Sequence, residues 1–295
     1  MKDQLLKALV LDNKVRLYIA RTTDIVQEAR NRFDLHSCAT AALGRTLSVG
    51  SLMGSMLKSE QEMLSITING HGPIGTIMVD AYHDGHVRGF CSNPHVEDVY
   101  HENGKLNVGA VVGTDGTLTV TKDLHMQDNF VGTVQLQSGE IGEDFAYYFT
   151  LSEQTPTAVS VGVLVTPEGH VVSAGAMIIQ MLPDATETEI AYCEHILSGL
   201  KPMSTLIYEY EDASLEQLAK DLFEDPNILM IQDICFSCPC SKQRMESALS
   251  TLKTEDLEDL AKKDEGCEIT CNFCNERYHF SKEELESILE SRNVH

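Results

Sequence analysis

Six of the nine cysteines in this chain of 295 residues are crowded into its last quarter, at Cys235, Cys238, Cys240, Cys267, Cys271 and Cys274. Cys238 and Cys240 form C-x-C, and Cys271 and Cys274 form C-x-x-C further along. Two close cysteine pairs joined by a helical stretch are the usual way to gather four thiolates around tetrahedral zinc. The segment around them, 233–295, is rich in Glu, Lys and Asp and holds too small an apolar core to fold comfortably alone. Structural zinc contributes on the order of 10–16 kcal/mol to a fold of that kind. Spacing leaves the ligand set open, because Cys235 with Cys238 is also C-x-x-C and Cys267 lies four before Cys271. His279 is a further candidate, though it reads better as a turn histidine packed on Tyr278. Lys242 and Arg244, beside the C-x-C, read as solvated surface charge. Cysteines two or three positions apart can close into disulfides locally, and exposed or strained disulfides tend to be labile and regulatory. On spacing alone, a permanently bound structural zinc is the favoured reading.

So many thiols call for a compartment. The opening MKDQLLKALVLDNKVRLYIA is interrupted by Asp3, Lys7, Asp12, Lys14 and Arg16 and lacks the apolar stretch of a secretory signal. No run approaches bilayer length. The expectation is a cytoplasmic protein with its thiols reduced and no membrane association. The formal net charge of −23 repels phosphate backbones, so nucleic acid is not an expected partner.

The rest of the chain reads as α+β. Residues 4–20 suggest strand with a turn at Asp12-Asn13, and Thr22-Thr23-Asp24 offers a cap for a helix to Phe33. HSCATAALGRTLSVGSLMGSMLK, 36–58, reads as a buried small-residue helix packed tightly on a sheet, with Cys38 a small hydrophobe. From 62 to 137 the period is two. LSITING, GTIMVDAY, GHVRGFCS, GKLNVGAVV, GTLTVTKDL and NFVGTVQLQ read as strands, with hairpin turns at Asp84-Gly85 and Asp115-Gly116. Residues 139–154 look helical, and 157–165 and 170–182 return to strand. The predicted organisation is an N-terminal, mainly antiparallel sheet domain with helices over 1–183, a helical middle linker over 184–232 and a small C-terminal four-cysteine zinc domain over 233–295. In the linker, helices are expected at 184–201, with Thr186 or Thr188 as cap, and at 214–223. In the last segment TEDLEDLAKK and SKEELESILES read as helices.

Catalytic motifs are not found. There is no G-x-S-x-G, no H-E-x-x-H and no P-loop. A thiol oxidoreductase would place its C-x-x-C in a thioredoxin-like βαβ pattern, which is missing. A nucleic-acid zinc ribbon needs a basic face that TEDLEDL and KEELESILES do not provide. His36, His71 and His125 read as surface or core residues. An enzyme is not expected, and a static zinc-stabilised interaction protein is the alternative to a switch.

FSCPCSKQR and CNFCNERYHF resemble the two zinc half-sites of the 33 kDa chaperonin family, the redox-regulated heat-shock holdases of bacteria. The likeness extends over nearly the whole chain, in ALGRTLSVGSLMGSMLK, NGHGPIGTIMVDAY, GHVRGFCSNP, SGEIGEDFAYYFTLSEQ and AGAMIIQMLP. The resemblance implies one Zn2+ held by Cys238, Cys240, Cys271 and Cys274 in an inactive resting form. It implies that oxidation pairs Cys238 with Cys240 and Cys271 with Cys274, releases zinc and destabilises the linker. Hydrophobic surface would then be offered to unfolding client proteins without ATP, typically by a homodimer. Cys235 and Cys267 depart from the family pattern. They would offer competing disulfides, but read first as small apolar residues near the metal.

Overall fold

A computed structural model describes residues 2–262 and 265–292, so Lys263, at the end of TEDLEDLAKK, lies outside the described residues. The chain divides into two units, Met1–Ser237 and Cys238–His295.

The first unit is built around two sheets. Alternating apolar residues on β1 (Gln4–Val10) and β2 (Val15–Arg21) form a hairpin closed by Leu11, Asp12 and Asn13, all at positive φ. These strands join β8 (Thr157–Val165), β9 (Val171–Met181) and β10 (Asn227–Asp233) in the order β10-β1-β2-β9-β8. The second sheet contains β3 (Met63–Asn69), β4 (Ile77–Tyr82), β5 (His86–Cys91), β6 (Thr117–Asp123) and β7 (Phe130–Gln135). Its edge beyond β5 is the short β11 (Cys235–Phe236), a parallel partner where all other described pairings are antiparallel. Gly85 closes the β4–β5 turn at φ +85°, and a Cβ there would stand 2.7 Å from the carbonyl oxygen of Asp233. Its own carbonyl accepts the Cys235 N–H at 3.1 Å.

The small-residue helix α2 (Ser37–Gly54) packs against strands of both sheets and buries sixteen of its eighteen residues. Small residues permit that approach: a Cβ on Gly54 would lie 2.8 Å from the Tyr82 carbonyl. The buried hydroxyls of Thr46, Ser48 and Ser51 donate to carbonyls one turn back, at 2.7–3.0 Å, so none is left unpaired. Preceding it, α1 (Thr23–Phe33) is capped differently from the sequence expectation. Thr22 takes the cap position but its hydroxyl pairs with Ser48, and Asp3, just before β1, accepts the Ile25 N–H at 2.7 Å.

The outer face of the five-stranded sheet is covered by α5 (Glu187–Gly199), α6 (Met203–Glu209) and α7 (Leu215–Leu222). Cys193, Ile207, Leu218 and Phe223 bury the sheet's Leu6, Leu17, Ile19 and Ile179 there. Thr186 caps α5 and Ser214 caps α7. Fully burying side chains of this size contributes about 1.5–3 kcal/mol each.

Four local expectations are corrected. GKLNVGAVV is not a strand but carries the short helix α3 (Val108–Val112), capped by Asn107. Asp115-Gly116 therefore joins a helix to β6 and makes no two-strand hairpin. In 139–154 the helix α4 spans Gly142–Leu151, and the residues before it form a loop folded over the Asp144 carboxylate. The linker over 184–232, for which only helices are expected, also runs into β10, which adds to the edge of β1. The α+β architecture with mainly antiparallel sheets is as the sequence suggests.

The second unit consists of α8 (Lys242–Leu249), α9 (Thr254–Ala261), the hairpin β12 (Cys267–Thr270) and β13 (Arg277–Phe280), and α10 (Lys282–Arg292). Its buried core comprises Leu249, Leu257, Ala261, Phe280, Leu285 and Ile288. That is the small core the composition led one to expect.

Candidate metal centre

Cys238 and Cys240 flank Pro239 in a segment outside helix and strand that leads to Ser241, whose hydroxyl caps α8 by accepting the Arg244 N–H. Cys271 and Cys274 occupy the tip of the β12–β13 hairpin. There the Cys271 carbonyl accepts the N–H groups of Cys274 and Asn275, at 3.3 and 2.8 Å, and Asn275 turns the chain with a positive φ of 59°. The tight turn points both thiols to one side. Cys238 Sγ lies 3.8 Å from Cys271 Sγ, and Cys240 Sγ lies 3.3 Å from Cys274 Sγ. All four sulfurs lie within 4.8 Å of one another, and no other His, Cys, Asp or Glu cluster among the described residues is gathered this closely.

The donor set fits zinc. Four Zn–S bonds of about 2.3 Å in a tetrahedron require sulfurs about 3.8 Å apart. Soft thiolate ligands in tetrahedral S₄ geometry select zinc or iron over the hard cations. Burial pushes the thiols of Cys271 and Cys274 up, while the N–H groups of Phe273 and Glu276 pull them the other way. A dication held by these four sulfurs would outweigh such shifts and keep them as thiolates.

Tyr278 donates its hydroxyl to Cys240 Sγ at 3.1 Å, and that bond raises the phenol's own pKa. Its ring packs against the unit's core. Contacts of this type orient ligands and tune their affinity for metal. In the sequence, Tyr278 is marked only as packing for His279. The signal available was the alternation along β13, which turns Tyr278 and His279 to opposite faces. His279 accordingly contacts the Glu265 carbonyl at 3.0 Å and takes no part in the sulfur cluster.

Cys267 and Cys235 also lie outside the group of four. Cys267 is half-buried at the start of β12, against the core of the second unit, as a small apolar residue would be. Cys235 sits exposed on β11 in the first unit, in register with His86. Partial desolvation and the carboxylates of Asp84 and Asp3 push its thiol up. Lys242 pairs with Glu284 at 2.5 Å and lies over the Phe280 ring, tying α8 to α10. His36, His71 and His125 each contact a backbone carbonyl, those of Val96, Asp115 and Gln61.

The family model described as Hsp33 protein matches residues 3–281. The chain belongs to the Hsp33 family. It is similar to the 33 kDa chaperonin of Bacillus cytotoxicus, 45% identical over 293 residues that cover 99% of this chain and 100% of that protein. The 33 kDa chaperonin of Bacillus cereus is 47% identical over 292 residues, with the same coverage. The crystal structure of the 33 kDa chaperonin (heat shock protein 33 homolog) of Thermotoga maritima matches with a TM-score of 0.90 at 36% identity, over 100% of both chains. Membership of this family supports a chaperone role for the chain. Among the described residues, no helix is long and apolar enough to cross a membrane.

Proposed function

We propose that this Hsp33 chain is a redox-regulated, ATP-independent holdase of the cytoplasm, binding unfolding proteins under oxidative stress. The gathering of four cysteine sulfurs within 4.8 Å, in a chain of this family, carries the reading. Cys238, Cys240, Cys271 and Cys274 would hold one Zn2+, which supplies the cross-link that the small core of the second unit lacks. Oxidation then joins Cys238 to Cys240 and Cys271 to Cys274. Four thiolates give up four electrons to two molecules of hydrogen peroxide, which become water with protons drawn from solvent. The reaction consumes every donor sulfur and so releases the metal.

The proposed organisation is a core over 1–183, a redox-sensitive linker over 184–232 and a switch domain over 233–295. Loosening of the linker has a defined consequence in the first unit. Withdrawal of α5, α6 and α7 would uncover Leu6, Leu17, Ile19 and Ile179, an apolar sheet face suited to unfolded clients. The oxidised, client-binding form is proposed to be a homodimer, and no catalysed reaction is part of its action.

The test follows zinc release, thiol state and aggregation of a heat-unfolded client together, in reduced and peroxide-treated protein. The expected result is stoichiometric zinc release and protection of the client by the oxidised form alone, reversed by reductant. Retention of zinc through peroxide treatment, with no protection by either form, would reduce the cysteines to a static staple.

A further inference from the structure

The five-stranded sheet ends on β8, which pairs with β9 on one side and with no strand on the other. A cavity of about 630 Å³ runs beside it in the first unit, lined by every residue from Ser160 to Pro167. Successive residues of a strand point to opposite faces. Val161 and Val163 pack on the core around α2, while a Cβ on Gly162 would meet Ser204 of α6. A lining drawn from both faces places the cavity at the open edge of the strand. In an antiparallel ladder, alternate residues turn their N–H and C=O groups away from the partner strand. Among the described residues, no backbone or side-chain group takes up those of Ala158 to Leu164. An edge with free donors and acceptors is the template on which an extended chain adds as a further strand.

The walls say what kind of chain fits. Leu164 is 41% exposed and Tyr100 56%, so apolar side chains are offered on the cavity wall. Arg45, His101 and Lys105 line the cavity against a single carboxylate, Glu140. Arg45 pairs with Glu140 at 2.6 Å, and His101 stands 3.7 Å from it. Lys105 is exposed, and among the described residues it has no ion-pair partner. A cleft with surplus positive charge, in a chain of net charge −23, favours an acidic ligand. A small anion would meet one free cation and leave the strand edge unused. An extended segment carrying Asp or Glu satisfies both.

We propose that this groove binds an extended, acidic polypeptide segment as an added strand on β8, with Lys105 pairing its carboxylate. The inference rests on the holdase reading only for the source of such segments, the exposed stretches of unfolding clients. It adds a docking site that is open in the resting form and needs no withdrawal of α5, α6 and α7.

The probe is a fluorescein-labelled Thr-Val-Glu-Val-Thr-Val peptide, titrated by fluorescence polarisation against the full-length reduced, zinc-loaded protein. Saturable binding is expected. Methylating the peptide's backbone nitrogens removes its ladder donors and should weaken binding about tenfold or more. Lys105→Glu, a change at an exposed side chain, should weaken it several-fold, as should Gln in place of the peptide's Glu. Amide exchange should slow along β8 on binding and stay unchanged along β7 and β10. Absence of saturable binding, equal binding of the methylated peptide, protection of another edge, or an unchanged affinity in Lys105→Glu overturns the proposal. Exchange along β8 that slows with rising protein concentration, without peptide, assigns the edge to a second copy of the chain and overturns it as well. None of these readouts involves zinc release or suppression of aggregation. Loss of groove binding therefore leaves the switch standing, and failure of the switch leaves the groove results unchanged.

Discussion

Replacing Tyr278 with Phe deletes one hydroxyl beside Cys240 and leaves the ring that packs on the second unit's core. A hydrogen bond to a charged acceptor contributes about 1.5–3 kcal/mol and one to a neutral acceptor about 0.5–1.5 kcal/mol. Zinc binds cysteine as the thiolate, whereas a free cysteine is mostly a thiol near neutral pH. Only the difference between the two bonds, about 1–1.5 kcal/mol, therefore favours the metal-bound state. At about 1.4 kcal/mol per tenfold, Tyr278→Phe should weaken zinc binding roughly fivefold to tenfold. Competition against a chromogenic chelator, with the reduced protein at fixed pH, measures this directly. Circular dichroism of the zinc-loaded variant should match the parent, because no core atom is removed. An affinity within twofold of the parent would show that the hydroxyl does not distinguish thiolate from thiol, and the reasoning fails. The same variant should release zinc faster under peroxide, since a less stabilised thiolate leaves the metal more readily.

Cys271→Ser should abolish stoichiometric zinc binding and melt the packing around Leu257 and Leu285, whereas Cys267→Ser should keep one zinc per chain; metal analysis and amide exchange would separate the two. Zinc affinity should fall as pH is lowered, because burial raises the Cys271 and Cys274 thiols and protons compete for those sulfurs, and a chelator titration from alkaline to mildly acidic pH checks it. Burial raises Asp3 to about 7 from 3.8, against the pull of Arg21 and of the Ile25 N–H. The native state thus holds a proton that the unfolded state has lost between these values, and Asp3 makes stability fall as pH rises through that window. Asp3→Asn should flatten this slope in denaturant melts between pH 4 and 7, and an unchanged slope would refute the assignment. Asp144→Ala removes a carboxylate that accepts the N–H groups of Gln137, Ser138 and Ile141. The loss of those bonds, with Ile141 held at a φ of 72°, should cost about 3 kcal/mol or more, read from the denaturant midpoint.

The elements most legible in the sequence are those whose signals are local. The β1–β2 turn is marked by Asp12-Asn13, and α2 by its run of Ala, Gly and Ser. The spacing of the cysteine pairs foreshadowed that Cys238, Cys240, Cys271 and Cys274 lie close together, although six cysteines leave several groupings of four open on spacing alone. The short helices α3 and α6 escaped because five to seven residues give too little of a 3.6-residue period, and VGAVV is rich in residues that favour strands. Strand β10 shows an alternating burial pattern, yet its partner β1 lies at the other end of the unit, and no local pattern encodes such pairing. Asp3 as the acceptor at the start of α1, and Tyr278 as donor to Cys240, depend on register in the same way.

The pairing of β10 with β1 also sets a timetable. Ala8 faces Ile228 across that ladder, 220 residues later in the chain. A ribosome adding about 5–20 residues per second needs roughly 10–40 s to cover that distance. For all of that time the β1–β2 hairpin can form, yet β1 keeps an open edge, the kind that invites pairing with another chain. Newly made copies of this chaperone therefore pass through an interval in which they are themselves prone to aggregate. The interval closes only when the residues just ahead of Cys238 and Cys240 have emerged.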